Sequence, residues 1–197
     1  MPTLILITGY ARSGKDTFAD GLASAARRSD IAFLNYADGL KDAANKYLAW
    51  VGQISPDEVD FHNDEFKAKN REVLVALGKM SRSIDVDVFA RMLTNDANDF
   101  HTGNLVESSL KDTVVICSDW RYLNEYKVAV AELSRIGWRI ITVRIDTTGT
   151  LPANEEEALS IAAIAREMPT DYQYYFNANS AEAVKTEGKG LARILGL

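Results

Sequence analysis

The amino-acid sequence predicts an α/β protein in which a mainly parallel central sheet is covered by helices on both faces. Short apolar runs without polar alternation, such as residues 4–8 and 113–118, are typical of strands that are buried on both faces. Along the chain these runs alternate with longer amphipathic segments of helical periodicity. This is the pattern of consecutive strand–helix units that form a parallel sheet.

The predicted strands are short and rich in β-branched and aromatic residues. They cover residues 4–8, 31–36, 113–118, 139–145 and 174–176. The one cysteine of the chain, Cys117, lies in the third of these strands. A lone cysteine in an apolar run is typical of a buried core residue, and it cannot form an intramolecular disulfide bond.

The predicted helices fill the intervals between the strands. They cover residues 15–28, 38–51, 66–77, 85–96, 122–135, 155–166 and 180–195. Asp38 and Ser180 are expected to cap the helices that they begin, and Gly137 is expected to follow a helix as its C′ residue. Glycine and serine in residues 78–83 predict a break between two helices, and residues 101–104 predict a polar turn.

Length and composition indicate one globular domain over residues 1–197. The chain is 47% hydrophobic and 25% charged, which is ordinary for a globular protein with a sizeable core. Residues 52–104 contain more helix than a minimal strand–helix unit needs. We therefore expect this block to form a helical insertion that binds a second substrate, the acceptor. Residues 146–170 are expected to form a short lid.

The overall charge and hydropathy exclude several classes of partner. A formal net charge of −6 argues against an extended nucleic-acid surface. No apolar run reaches the length of a membrane span, and the chain opens on a strand without the pattern of a signal peptide. These features predict a cytoplasmic protein with small-molecule partners. The oligomeric state is left open, a homodimer included.

A glycine-containing loop joins the first strand to the first helix. Residues 9–17 read GYARSGKDT and match the phosphate-binding pattern G-x-x-x-x-G-K through the lysine. The glycines let backbone N–H groups point inward at an anion, Lys15 adds a mobile positive charge, and the following helix adds its dipole. The loop therefore predicts a P-loop that binds ATP. Its candidate ATP-binding residues are Gly9, Ala11, Arg12, Ser13, Gly14, Lys15, Asp16 and Thr17.

The residue after the lysine departs from the usual pattern. P-loop enzymes commonly place a hydroxyl on Mg²⁺ at this position. Here the residue is Asp16, and the hydroxyl follows at Thr17. A carboxylate can hold Mg²⁺ directly or through water. We therefore expect Mg²⁺ as a cofactor, with Asp16 and Thr17 among its ligands, and a G-K-x-T loop favours small-molecule kinases over motor or switch NTPases.

Charged residues near the predicted carboxyl ends of the strands are further candidates, because ligands bind at that edge of an open parallel sheet. Asp119 could hold Mg²⁺ or act as a turn residue. Arg121 could reach a phosphate or pair with Glu125. Asp38 is either a helix cap or, with Lys41, part of a site for an acceptor phosphate.

Three more residues are candidates for the site. Arg82 lies in a predicted loop with serines and a glycine nearby, a setting that suits contact with phosphate. Arg71 lies in the same predicted insertion, residues 52–104. Either arginine could equally be a solvated surface residue. Asn177 follows the last strand, where it could contact a purine edge or belong to a simple turn.

Four of these segments, taken in order, resemble the phage-type deoxynucleoside monophosphate kinases. They are the loop 9–17 with its G-K-D-T ending, YADGLK at 36–41, the stretch from Arg71 to Arg82 and Asp85, and DWRYLNE at 119–125. The family typically reads A-D-P-x-K at the second segment and D-x-R-x-x-N-E at the fourth. This chain has Gly39 in place of the proline and a bulky Trp120 where a small aliphatic residue is common.

The resemblance implies a P-loop NTPase fold of the nucleoside monophosphate kinase type, with three α/β/α layers around a parallel sheet. It implies transfer of the γ-phosphoryl group of ATP, with Mg²⁺, to a (deoxy)nucleoside 5′-monophosphate, in a host cytoplasm if the protein is phage-encoded. By motif position, the metal and ATP phosphates would meet Lys15, Asp16, Thr17 and Asp119. The acceptor side would hold Asp38, Lys41, Arg71 and Arg82, and the catalytic group would be Lys15, Arg82, Asp119 and Arg121.

Two alternatives remain at this point. One is a P-loop kinase for another acceptor, such as a modified nucleotide, a base in DNA or a small phosphorylated metabolite. The other is a nucleotide-binding regulator that is not a kinase. A switch protein of that kind would carry a residue that positions a catalytic water, and none is identifiable in the sequence.

Overall fold

The computed structural model describes residues 1–27, 29–52, 59–106, 112–178 and 180–197. Its strands are β1 (Thr3–Thr8), β2 (Ser29–Phe33), β3 (Asp112–Cys117), β4 (Arg139–Thr147) and β5 (Tyr172–Phe176). Its helices are α1 (Lys15–Ala25), α2 (Asp38–Gly52), α3 (Asp64–Lys69), α4 (Arg71–Ile84), α5 (Val88–Val106), α6 (Leu123–Leu133), α7 (Glu155–Glu167) and α8 (Ala181–Leu195). A 3₁₀ turn, Ser134–Ile136, follows α6.

The five strands form one sheet in the order β2-β3-β1-β4-β5, and every neighbouring pair is parallel. The predicted α/β class with a parallel sheet is therefore confirmed. The chain leaves the central strand β1 toward β2 on one side and later crosses to β4 on the other. Such a reversal opens a crevice at the carboxyl end of the central strand. The loop 9–17 begins at this point.

Alternate residues of β1 supply two hydrophobic cores, one on each face of the sheet. Ile5 and Ile7 pack with α1 and α8, through side chains such as Phe18 and Leu191. Leu4 and Leu6 belong to the opposite core, which is completed by α5, α6 and α7. All residues of β1 are buried, as expected for a strand that has helices on both faces. The structure therefore has three layers, with the sheet between two layers of helices.

The helices α1 and α8 approach each other closely because each presents a glycine to the other. A Cβ at Gly188 would overlap the carbonyl oxygen of Phe18, and a Cβ at Gly21 would overlap the carbonyl oxygen of Lys185. Both approaches are closer than real Cβ atoms make. This contact fixes the position of α1, the helix that begins at the end of the phosphate loop.

The structure corrects the predicted break at residues 78–83. The helix α4 continues through this segment to Ile84. Gly78 lies against Leu40 of α2, where a Cβ would already make a tight contact, and the Ser81 hydroxyl donates to the Leu77 carbonyl at 2.9 Å. Packing and this internal hydrogen bond overcome the weak helix preference of glycine and serine. Arg82 therefore lies in the last turn of a helix and not in a loop.

Two neighbouring boundaries also differ from the prediction. The helix predicted over residues 66–77 is divided at Asn70 into α3 and α4. The turn predicted at residues 101–104 is helical and belongs to α5, where the His101 ring packs edge-on against Trp138. Residues 28, 53–58, 107–111 and 179 lie outside the described part of the chain.

Two other predicted features, Gly137 and Cys117, are confirmed, whereas the predicted cap at Ser180 is not. Gly137 has a φ of 88° and follows the 3₁₀ turn after α6. Cys117 is buried and its thiol is free. Ser180 precedes α8, but its hydroxyl donates to the Asn177 carbonyl at 2.6 Å and does not cap the helix. Within the described residues, no helix combines the length and the apolar character that a membrane crossing requires.

Candidate active site

The loop 9–17 adopts a backbone that favours glycine at two positions. Gly9 and Gly14 have φ angles of 146° and 91°, and Arg12 also lies in the left-handed region at 63°. A Cβ at Gly9 would overlap the carbonyl oxygen of Ile145 in β4, so only glycine fits there. Within the described part of the chain, no side chain caps the first turn of α1, which begins at Lys15. The N–H groups at this helix end are therefore available to an anion.

Lys15 lies over the loop, and its ammonium group donates to the Tyr10 carbonyl at 2.7 Å. Burial lowers the pKa of Lys15, and the nearby Arg121 guanidinium lowers it further. Carboxylates of Asp16, Glu157 and Asp119 act in the opposite direction. Two cations and three carboxylates thus meet at the carboxyl edge of the sheet.

Asp16 is connected to the end of β3. The Ser118 hydroxyl donates to its Oδ1 at 2.7 Å, while the Asp16 side chain stays exposed. Asp16 and the hydroxyl of Thr17 are hard oxygen donors of the kind that Mg²⁺ accepts. Among the described residues, no group of three or more His, Cys, Asp or Glu could hold a metal ion without help. A Mg²⁺ ion that arrives with nucleotide phosphates needs only one or two protein ligands, so these residues fit it.

Asp119 anchors the connection between β2 and α2. Its carboxylate oxygens accept the N–H groups of Tyr36 at 2.8 Å and Ala37 at 3.0 Å, and the Cys117 thiol donates to it at 3.3 Å. Burial raises the pKa of Asp119, whereas these hydrogen bonds oppose that rise. Both oxygens already have donors, so any contact of Asp119 with Mg²⁺ through water stays a prediction.

Asp38 and Lys41 lie together at the start of α2. One oxygen of Asp38 accepts the Asn35 N–H at 2.9 Å, and the other pairs with the Lys41 ammonium group at 2.8 Å. The Asn35 side chain in turn accepts the Ser118 N–H at 3.0 Å. These bonds hold the loop after β2 against the end of β3, which brings Lys41 to the same edge of the sheet as Lys15.

Arg121 does not form the side-chain bridge to Glu125 that the sequence left open. Instead, the backbone N–H groups of Arg121 and Tyr122 both donate to Glu125 Oε2 at 2.9 Å. The Arg121 guanidinium points elsewhere, and its Nη1 lies 3.6 Å from Oε1 of Glu157. Glu125 is almost fully buried, and burial raises its pKa to about 8.

Arg82 is held between two aromatic rings. Its guanidinium carbon lies 5.1 Å from the ring centre of Phe89 and 4.8 Å from that of Tyr122, and both distances are those of cation–π contacts. Tyr122 also donates its hydroxyl to Glu156 of α7 at 2.6 Å. Within the described part of the chain no carboxylate pairs with Arg82, so its charge remains available to an anion.

Arg71 is not brought together with Arg82. The two arginines are eleven positions apart on one continuous helix, which separates their backbones by about 16 Å. Arg71 is exposed and lines a surface groove with residues of α3 and α4, among them Lys69 and Lys79. The structure thus places only Arg82 beside Tyr122 and the 119–125 segment.

A pocket of about 220 Å³ lies next to the phosphate loop. It is lined by Tyr10, Asp146, Thr147, Thr148, Thr150, Tyr175 and Phe176. The Thr147 hydroxyl donates to the Ser13 carbonyl at 2.8 Å and so connects the pocket to the loop. Asn177 directly follows the last lining residue and is exposed.

The predicted lid, residues 146–170, consists of the end of β4, a loop and α7. Ile161 and Ile164 of α7 are buried in the core, so this helix packs on the sheet layer. Arg144 makes two hydrogen bonds to Asp146, at 2.8 and 3.1 Å. Its charge is therefore already paired within β4.

Glu157 is the site residue that the sequence did not reveal. By residue type alone, the three consecutive glutamates at the start of α7 indicate only an acidic first turn that complements the helix dipole. Glu155 and Glu156 are indeed exposed, but Glu157 is buried and lies beside the phosphate loop. Its spacing from Ile161 and Ile164, four and seven positions on, was the available signal, because it places Glu157 on the buried face of the helix.

Comparisons with known proteins do not show a family for this chain. No protein-family model matches the chain, and no curated protein matches it. Among solved structures, it is similar to a protein from Chloroflexus aurantiacus J-10-fl that is described as a "putative kinase". The sequences are 14% identical, the similarity covers 99% of this chain and 97% of that chain, and the TM-score is 0.49. A similarity of this size does not establish a shared activity.

Proposed function

We propose that the protein is an ATP-dependent kinase that phosphorylates a (deoxy)nucleoside 5′-monophosphate. The observation that carries this proposal is the uncapped start of α1 behind the loop 9–17, with Lys15 and Arg121 beside it. Backbone N–H groups, a mobile lysine and an arginine at one place form a site for a polyphosphate. The resemblance of four sequence segments to phage-type deoxynucleoside monophosphate kinases supports the choice of acceptor.

On the ATP side, the phosphates would lie on the loop 9–17 and the base in the pocket beside it. The rings of Tyr10, Tyr175 and Phe176 line that pocket and suit a flat aromatic base. Asn177 lies at its border and offers an amide to the base edge. Asp16 and Thr17 would hold Mg²⁺, which neutralises charge on the phosphates when it is bound.

On the acceptor side, two cations are available at the same edge of the sheet. Arg82 is fixed between Phe89 and Tyr122, and Lys41 is placed by Asp38. The phosphate oxygen of a nucleoside monophosphate is already ionised at neutral pH, so the reaction needs no protein base or nucleophile. These residues would hold it in line with the γ-phosphate, and Lys15 and Arg121 would stabilise the charge on the transferring group.

The proposal is tested by ATP consumption in the presence of Mg²⁺ and a panel of acceptors. We expect at least one deoxynucleoside monophosphate to raise ADP formation well above the rate with ATP alone. If only another phosphorylated metabolite raises ADP formation, the proposed kinase activity stands and the proposed acceptor is wrong. If no acceptor raises turnover, the protein is a nucleotide-binding regulator rather than a kinase.

A further inference from the structure

Glu157 carries a buried charge that its place in the fold does not explain. Its side chain is 1% exposed, although the two preceding glutamates are exposed. Taking a carboxylate out of water costs several kcal/mol unless polar partners compensate for it. The N-terminal cap of α7 is already supplied by Asn154, whose side chain accepts the Glu157 N–H at 2.8 Å. Capping therefore does not account for the buried carboxylate.

The two oxygens of this carboxylate face different parts of the site. Oε2 accepts the Ala153 N–H at 2.7 Å and lies 3.4 Å from the Ala11 N–H of the phosphate loop. Oε1 is buried, accepts no hydrogen bond from any residue that the structure describes, and lies 3.6 Å from Nη1 of Arg121. One side chain thus contacts the segment before α7, the phosphate loop and the segment after β3.

We propose that Glu157 is a positioning residue of the phosphoryl-transfer site, which holds the Arg121 guanidinium beside Lys15 and sets the Ala11 N–H of the phosphate loop. This inference rests on the proposed function. Arg121 has five N–H donors, and contact through Nη1 leaves the others free for a phosphate. Glu157 itself touches no substrate and acts through Arg121.

Three variants separate positioning from a structural role. Glu157→Gln keeps the shape and an acceptor for the Ala153 N–H but removes the charge that faces Arg121. Glu157→Asp keeps the charge on a shorter side chain. If Glu157→Gln fails to fold, Glu157→Ala, which also lacks the charge, replaces it in every measurement. Glu155→Gln makes the same charge change two residues earlier, at an exposed position of the same helical turn, and serves as the control.

The first measurement is calorimetric binding of tripolyphosphate to the wild type, Glu157→Gln, Arg121→Gln and the double variant. We expect Arg121→Gln to weaken binding about fivefold or more in the wild-type background but less than about twofold in the Glu157→Gln background, because coupled residues are not additive. Glu155→Gln should bind like the wild type. Equal effects of Arg121→Gln in both backgrounds, or no effect in either, would overturn the proposal.

The second measurement is turnover with the best acceptor. Glu157→Gln should lower kcat about tenfold while the KM for ATP changes less than about threefold, and Glu157→Asp should recover part of the loss. An unchanged kcat in a folded Glu157→Gln protein would also overturn the proposal. If the binding cycle shows coupling but no acceptor is phosphorylated by the wild type, the proposed function fails and the positioning of Arg121 by Glu157 stands.

Discussion

Arg82 is the residue that we expect to distinguish the acceptor from ATP. Replacing it by alanine removes a cation held between Phe89 and Tyr122, so the KM for the acceptor should rise about tenfold or more while the KM for ATP changes little. The matched control is Arg71→Ala, because Arg71 lies about 16 Å away on the same helix and should have a much smaller effect. Steady-state kinetics with each substrate varied in turn measures both. Equal changes in the two KM values for Arg82→Ala would show that Arg82 does not belong to the acceptor site.

Glu125 should make stability depend on pH. Its pKa is about 8 in the folded protein against an ordinary value of 4.5, so the folded state retains a proton that the unfolded state loses. The folded state therefore binds more protons between these values, and the contribution of Glu125 to stability falls as the pH rises from about 4.5 to about 8. We expect denaturation midpoints of Glu125→Gln to vary less with pH over this range than those of the wild type. Parallel pH profiles for the two proteins would contradict the raised pKa.

At the scale of single residues, the sequence predicts the residues of a contiguous motif. It does not predict contacts that depend on how the helices and strands pack. Lys15 and the two loop glycines could be predicted because the phosphate pattern is local to nine residues. Glu157 could not be separated from Glu155 and Glu156 by residue type, since only the buried face of α7 distinguishes them. The cation–π contact of Arg82 with Tyr122 likewise joins residues that are distant in sequence.

The contact between α1 and α8 gives a prediction at the scale of elements. Gly188→Ala would push a Cβ against the Phe18 carbonyl, so it should destabilise the protein by about 1–3 kcal/mol, as overpacking does. Gly190→Ala is the control on the same helix, because its Cβ would meet only the far end of the Glu187 side chain, at 3.9 Å. Gly190→Ala should be neutral or stabilising by up to about 1 kcal/mol. Chemical denaturation measures both, and similar midpoints for the two variants would show that the helices can move apart.

The helices of the insertion show why element boundaries were the weaker part of the sequence prediction. Strands and the helices beside them have strong periodicity and were placed within a few residues. The break expected at residues 78–83 rested on glycine and serine alone. Gly78 in fact serves the approach of α4 to Leu40, and Ser81 satisfies its hydroxyl within the helix. Tertiary packing determines the helical conformation at these positions, and this packing cannot be predicted from a single sequence.

At the scale of the whole molecule, the class of fold was predictable but the order of its strands was not. Alternation of strands and helices is visible in the chain, whereas the order β2-β3-β1-β4-β5 is set by pairings between distant segments. That order brings the loop 9–17, Asp38, Asp119 and Arg121 to one edge of the sheet. A protein with a net charge of −6 thus places two cations, Lys15 and Arg121, together at the edge where a phosphate would bind.

The central claim is phosphoryl transfer from ATP to a nucleoside monophosphate at this edge. It is tested most directly by incubating the wild type and Lys15→Ala with ATP labelled at the γ-phosphate, Mg²⁺ and each deoxynucleoside monophosphate, and by following the label. Lys15→Ala should fold normally, since the hydrogen bond that its ammonium group makes among the described residues is to the Tyr10 carbonyl within the same loop, but it should lose transfer by about a hundredfold or more. We predict labelled deoxynucleoside diphosphate from the wild type and almost none from Lys15→Ala. Label that stays in ATP or appears only as free phosphate, or equal transfer by a folded Lys15→Ala protein, would contradict the claim.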